Sequence, residues 1–217
     1  MSTNRADDSG PPMHQIYAEQ LRCHAIELIW MGHKRLDPTS FASAEEDDIT
    51  GVLVQEIRQV IHDPDSPDWV THSPVVAQVP QNINAQRGKR RPKMDIEFER
   101  GGRGPQPRLG FEAKRLGRGN AVGNYLNDEG LGAFLSGYYP TTHGDAGMLG
   151  YVQDRSPAEW STNLATALHG DRKKYRIAPS GNWQPISIHA AAPAAFTIHE
   201  DPNGKRLSVT HVLLPFV

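Results

Sequence analysis

Apolar residues along this chain recur with two periods, and the switches between them divide it into elements. From His14 to Met31 the apolar positions Ile16, Leu21, Ile26, Leu28, Ile29 and Trp30 predict a helix, with Gly32 as its stop. A second helix is predicted from Ser43 to Asp63. Ser43 is the expected N-cap, Glu46 its capping-box partner, and acids crowd the first turn, where the helix dipole favours them. Ile49, Val52, Leu53, Ile57, Val60 and Ile61 then form one stripe, and Asp63-Pro64 ends the helix. The period next changes to two. Residues 74–85 read as a strand, followed by a pair of strands within Met94–Leu116. In the first of the pair, Ile96 and Phe98 alternate with Asp95, Glu97 and Glu99; in the second, Leu109, Phe111 and Ala113 alternate with Glu112 and Lys114. Gly101-Gly102-Arg103-Gly104-Pro105 between them marks a hairpin loop.

The second half continues with a glycine-rich loop after Lys114 and a helix over Tyr125–Tyr139. A short strand of the buried type follows at Ala146–Val152, then a helix over Pro157–His169 with Ser156 as N-cap. Two strands, about Ile186–His199 and Leu207–Phe216, are joined by the turn Asp201-Pro202-Asn203-Gly204. This succession predicts an α/β protein with a mixed sheet, an α+β arrangement in one domain over residues 13–217. Its core runs from about 43 to 152, with a C-terminal extension over 153–217. Residues 1–12, polar and with two prolines, are expected to be a disordered tail.

Composition narrows the class. With 37% hydrophobic and 22% charged residues, 217 residues can bury a core. No apolar run reaches 18 residues and the N-terminus lacks a signal-peptide pattern, so a cytoplasmic protein without a membrane partner is expected. The single cysteine, Cys23, is expected to be buried packing in the first helix. Ten histidines are scattered without zinc-ligand spacing, and no Gly-x-Ser-x-Gly elbow occurs.

Net charge is −2, but its distribution is uneven: Arg87 to Arg118 holds eleven Lys/Arg against four Asp/Glu. Arg87, Lys89, Arg90, Arg91 and Lys93, with Arg115 and Arg118, form a candidate patch for a nucleic-acid backbone. Inside this basic stretch lie Asp95, Glu112 and Lys114. If the strands pair, these converge on one sheet face. Two carboxylates and a lysine suit Mg²⁺ (or Mn²⁺) chemistry on a phosphoryl group, with Asp95 and Glu112 as metal ligands. A charged strand face that is merely solvated, with Lys114 as an ion-pair partner, is the competing reading.

An acid opening one strand, a Gly/Pro loop, and Glu-x-Lys on the next strand resemble the PD-(D/E)XK nuclease superfamily, the restriction-endonuclease-like fold. The resemblance extends more weakly over about 45–152, and Pro92 precedes Asp95 by three residues rather than one. A Tyr…Gly-apolar…Phe…Gly-x-Tyr stretch after the motif is similar to that of small defence-associated nucleases. The resemblance implies an α-β-β-β-α-β core, a metal-dependent endonuclease (a hydrolase) acting on DNA before RNA, and a role in bacterial phage defence. It implies that Asp95, Glu112 and Lys114 are catalytic, and that a helix acid joins them as a metal ligand. That acid is Glu46, whose other role would be capping alone, or else Glu56. Control by a protein partner or by homo-oligomerisation is expected. The alternative is a catalytically silent subunit of the same fold that binds nucleic acid or a protein.

Overall fold

A computed structural model describes residues 12–80, 93–101, 103–104, 106–117, 119, 121–141, 143–186 and 193–217. Two helices come first, α1 at Met13–His33 and α2 at Glu46–His62. Three strands follow, β1 (Val75–Pro80), β2 (Lys93–Glu99) and β3 (Arg108–Leu116). Two short helices, α3 (Val122–Leu126) and α4 (Leu131–Leu135), lead to β4 (Asp145–Val152) and α5 (Pro157–Gly170). The chain closes with β5 (Gln184–Ile186), β6 (Ala194–Glu200) and β7 (Arg206–Pro215).

All seven strands form one mixed sheet in the order β1-β2-β3-β4-β7-β6-β5. β1, β2 and β3 pair antiparallel; β3, β4 and β7 pair parallel. Alternation along the central strands builds two cores. Phe111, Leu149, Tyr151, Val212 and Leu214 pack with α1 and α2, while Met148, Val152, Val209 and Leu213 pack with Leu126, Phe134 and Trp160 from α3, α4 and α5. The burial of every β4 residue after Asp145 follows from having helices on both faces.

Several sequence expectations are corrected. Ser43 does not cap α2; Glu45 stands at that position with no side-chain cap bond, because Glu46 turns toward the sheet instead. Gly32 does not stop α1. It lies within the helix because a Cβ there would come 2.6 Å from Ile57 of α2, so its role is close helix approach. Cys23 is exposed, since the buried stripe of α1 runs through Leu21, Ala25, Ile26, Leu28 and Ile29. The helix expected over Tyr125–Tyr139 is two short helices. Asn127 is extended, its side chain accepts from the Glu129 N–H, and a Cβ at Gly130 would meet the Tyr125 carbonyl oxygen at 2.3 Å. The strand expected over Ile186–His199 is divided: β6 carries its second part, while residues 187–192 lie outside the described residues. So do 1–11 of the expected tail and 81–92, which include most of the candidate basic patch. Ser156 does cap α5, with Glu159 completing a capping box.

Behind β6 and β7 runs a closed polar chain. His199 Nδ1 donates to the Tyr175 carbonyl (2.6 Å), and Thr197 Oγ1 lies between His199 Nε2 (2.7 Å) and His211 Nε2 (2.8 Å). The Tyr125 hydroxyl completes it at 3.1 Å from His211 Nδ1. One proton assignment satisfies every group: Tyr125 donates to His211, His211 to Thr197, Thr197 to His199, and both imidazoles stay neutral. Burial holds both below the ordinary histidine range, His199 down to about 4. An unfolded histidine takes up a proton below about 6.5, whereas the folded one resists until about 4. The stability these histidines contribute is therefore fully present above pH 6.5 and is lost as pH falls toward 4, by about 3 kcal/mol from His199 alone. The gap in urea stability between wild type and His199→Asn should therefore narrow from pH 7 to pH 5; a gap that stays constant would show that this histidine is not held neutral.

Candidate active site

The β2–β3 register runs from Glu99 opposite Arg108 to Ile96 opposite Phe111. Just past it, the Ala113 N–H donates to the Asp95 carboxylate (2.8 Å). A side chain thus takes the place of a ladder acceptor, which fixes Asp95 against β3. The remaining acids of β2 are used differently. Glu97 and Glu99 face the exposed Arg108 at 3.9 and 3.4 Å, a pairing of little energetic weight.

Lys114 stands at the centre. Its Nζ donates to Glu112 Oε1 (2.7 Å), to Glu46 Oε1 (3.1 Å) and to the Ala113 carbonyl (2.7 Å), which uses all three of its protons. Glu46, the first residue of α2, also accepts the Arg115 N–H through Oε2 (3.2 Å). Two carboxylates thereby share one ammonium, and Asp95 lies near enough to feel its charge. Glu112 Oε2 is buried and has no hydrogen-bond partner.

The electrostatics follow from this shortage of cations. Burial, and then the neighbouring Asp95 carboxylate, push Glu112 up to about 8 despite Lys114. Burial also raises Asp95, against the Ala113 N–H, and Glu46, against Lys114. Burial alone would lower Lys114, but Glu112 and Glu46 outweigh it and its net direction is up. The lysine therefore acts as a fixed cation rather than a base at neutral pH.

The start of α2 is tied to the sheet from behind. Thr50 Oγ1 donates to the Glu46 carbonyl (2.8 Å) and lies 2.8 Å from the Tyr151 hydroxyl of β4. Gln153, just past β4, donates its side-chain amide to the carbonyls of Phe41 (2.9 Å) and Ala44 (2.8 Å). Tyr139 borders Glu112 and donates its hydroxyl to the Lys93 carbonyl (3.1 Å). Sequence reasoning singled out none of Thr50, Tyr151, Gln153 or Tyr139 for the site. Thr50 follows Ile49 of the predicted stripe with nothing to mark it, and Gln153 carried no signal beyond being a polar residue closing an apolar run.

An open cleft of about 560 Å³ lies over the site, lined by Glu46, Lys114 and Arg115, with Asn124, Asn127 and Glu129 also on its walls. Glu45 and Asp47 line it as well, so four carboxylates face two cations. Arg115, expected to hold a nucleic-acid backbone, pairs instead with Glu45 (2.8 Å) and reaches the Ala44 carbonyl (3.5 Å). Lys93 is exposed at the start of β2. Arg87, Lys89, Arg90, Arg91 and Arg118 lie outside the described residues. Glu56 is bound to Arg35 (3.2 Å) on the exposed side of α2, away from Lys114, which leaves Glu46 as the helix acid at this place. Among the described residues no three His, Cys, Asp or Glu side chains are gathered closely enough to hold a metal ion between them.

The chain matches no family model, no curated protein and no solved structure.

Gln153→Ala should cost about 1–3 kcal/mol, because it leaves the Phe41 and Ala44 carbonyls without their donor. Urea denaturation measures this. A variant as stable as wild type would show that the turn before α2 holds itself.

Proposed function

We propose that this chain is a divalent-metal-dependent phosphodiesterase, a nuclease that acts on DNA before RNA. The observation that carries the reading is the pairing of Glu46 and Glu112 with a single ammonium beside Asp95, with Glu112 Oε2 buried and unpartnered. Such a cluster lacks positive charge, and a hard cation supplies it. The residues fit Mg²⁺ or Mn²⁺: the donors are carboxylate oxygens, and Mg²⁺ usually takes only one or two of them beside water and phosphate. Asp95 and Glu112 would hold the ion, with Glu46 joining once Lys114 releases it. When bound, the ion would polarise a water and offset charge on the phosphoryl group.

The chain's own residues have separable tasks. Asp95 stays oriented by the Ala113 N–H. Lys114 exchanges its carboxylate partners for the phosphate oxygens and stabilises the charge that develops there. The acidic cleft repels a bare backbone, so its carboxylates would need neutralising before substrate could enter, and the basic residues around 87–93 would supply the backbone contacts. The succession α2, β1, β2, β3, the α3–α4 pair and β4 supports the finer fold assignment, a restriction-endonuclease-like α-β-β-β-α-β core. Among the described residues no helix is long and apolar enough to cross a membrane.

The test is incubation of the purified chain with plasmid, single-stranded DNA and RNA. Cleavage is expected with Mg²⁺ or Mn²⁺ and none with EDTA. Asp95→Ala and Lys114→Ala should each lower single-turnover cleavage by about a hundredfold or more. If Lys114→Ala cuts at the wild-type rate, Lys114 is a structural ion-pair partner and the reading fails.

A further inference from the structure

A second cavity, of about 390 Å³, lies at the other end of the parallel strands. Gly150 is level with Lys114 in the β3–β4 register, and Asp145 opens β4 five residues earlier. The two regions are thus separated by roughly 17 Å along the strands. The walls come from His14 and Gln15 at the start of α1, His143 just before β4, and Arg206 and Ser208 at the start of β7.

Four of these five side chains, all but Ser208, are exposed, so their polar groups face solvent and are open to a ligand. None of them makes a hydrogen bond or ion pair with another described residue. Arg22, on the same wall, is by contrast committed: it pairs with Asp145 (3.2 Å) and stands over the Phe196 ring. Arg22 thus takes the ion pair with Asp145; Arg206 and His143 lie near enough to feel the same carboxylate, but their donors form no hydrogen bond or ion pair with it and stay open to a ligand.

The backbone here is also strained. His143 has φ of 58°, which side chains other than glycine seldom adopt, and its ring stacks on His14 at 5.3 Å. Strain of this kind costs about 1 kcal/mol or more and recurs where a ligand is held.

We infer that this cavity binds a phosphate monoester. A guanidinium fork, two imidazoles, a hydroxyl and a side-chain amide offer donors that match the acceptor oxygens of a phosphate. The volume falls within the range of about 300–1,000 Å³ usual for small-molecule sites, which is more than a bare ion fills. Glu19 on the wall supplies an acceptor for a hydroxyl or amino group of the same ligand. A nucleoside monophosphate has this chemistry, whether free or as the phosphorylated end of a strand. The inference does not depend on cleavage at Lys114.

Calorimetric titration of the full chain in EDTA tests it. The probes are inorganic phosphate, a nucleoside monophosphate, its nucleoside, and one oligonucleotide with and without a 5′-phosphate. The monophosphate should bind and the nucleoside should not. Arg206→Ala and His14→Ala, both checked for folding by their melting curves, should each weaken binding, Arg206→Ala by about tenfold or more. Lys114→Ala, its folding checked in the same way, should bind as wild type does. Preference for the phosphorylated oligonucleotide over the hydroxyl form identifies a strand end as the source; binding of the mononucleotide alone identifies a free ligand. The inference is overturned if no probe binds in a phosphate-dependent way, if binding survives Arg206→Ala, or if Lys114→Ala abolishes it.

Discussion

One ammonium group joins the two parts of this molecule that matter most for chemistry. Lys114 belongs to β3, Glu46 to the first turn of α2, and the ion pair at 3.1 Å holds helix to sheet through charge rather than through apolar packing. The lysine and Glu112 are both largely buried, with side chains 15% and 7% exposed, so removing one partner would leave a charge without compensation in a dry place. The same contact assembles more carboxylate than it can neutralise. Protons or a metal ion must make up the difference, and that need separates this cluster from the pairing of Glu97 and Glu99 with the exposed Arg108.

The frame around it is built to keep those groups from relaxing apart. Parallel pairing of β3, β4 and β7 sets Tyr151 and Gln153 behind α2, where Thr50 and the carbonyls of Phe41 and Ala44 receive them. β4 can lie this close to its neighbours because it is glycine-bearing. A Cβ on Gly147 would meet the fully buried Phe111 ring at 2.2 Å, and one on Gly150 would meet Leu116 and Leu213 at 2.6 Å. Small residues in the central strand thus allow large ones beside it, and the sheet holds its shape under the site.

Most of the fold was legible in the sequence because it follows from period. Strict alternation in β2 and β3, and the stripe of α2, are local signals that tertiary contacts reinforce. What stayed hidden was set by contacts between distant residues. Nothing local distinguishes Gly32 as a helix stop from Gly32 as a contact with Ile57. The break between α3 and α4 depends on how Asn127 and Gly130 turn. The site was legible in the same uneven way. Asp95, Glu112 and Lys114 were readable from alternation and spacing, whereas Glu46 was named only through the family resemblance, with Glu56 as its alternative. Gln153 was not readable, since a buried glutamine that serves two carbonyls looks the same in sequence as any surface glutamine. Nor could charge counting show that Arg115 is spent on Glu45.

The central claim is that this carboxylate cluster takes a divalent cation in competition with Lys114. Calorimetric titration of Mn²⁺ into the metal-free protein tests it most directly, using wild type, Glu112→Gln, Asp95→Asn and Lys114→Ala. Wild type is expected to bind. Both carboxylate variants are expected to bind at least about tenfold more weakly, and Lys114→Ala as tightly as wild type or more so, because the competing ammonium is gone. A wild type that takes up no Mn²⁺, or a Glu112→Gln variant that binds it equally well, would contradict the claim and leave Lys114 with its carboxylates as a purely structural ion cluster.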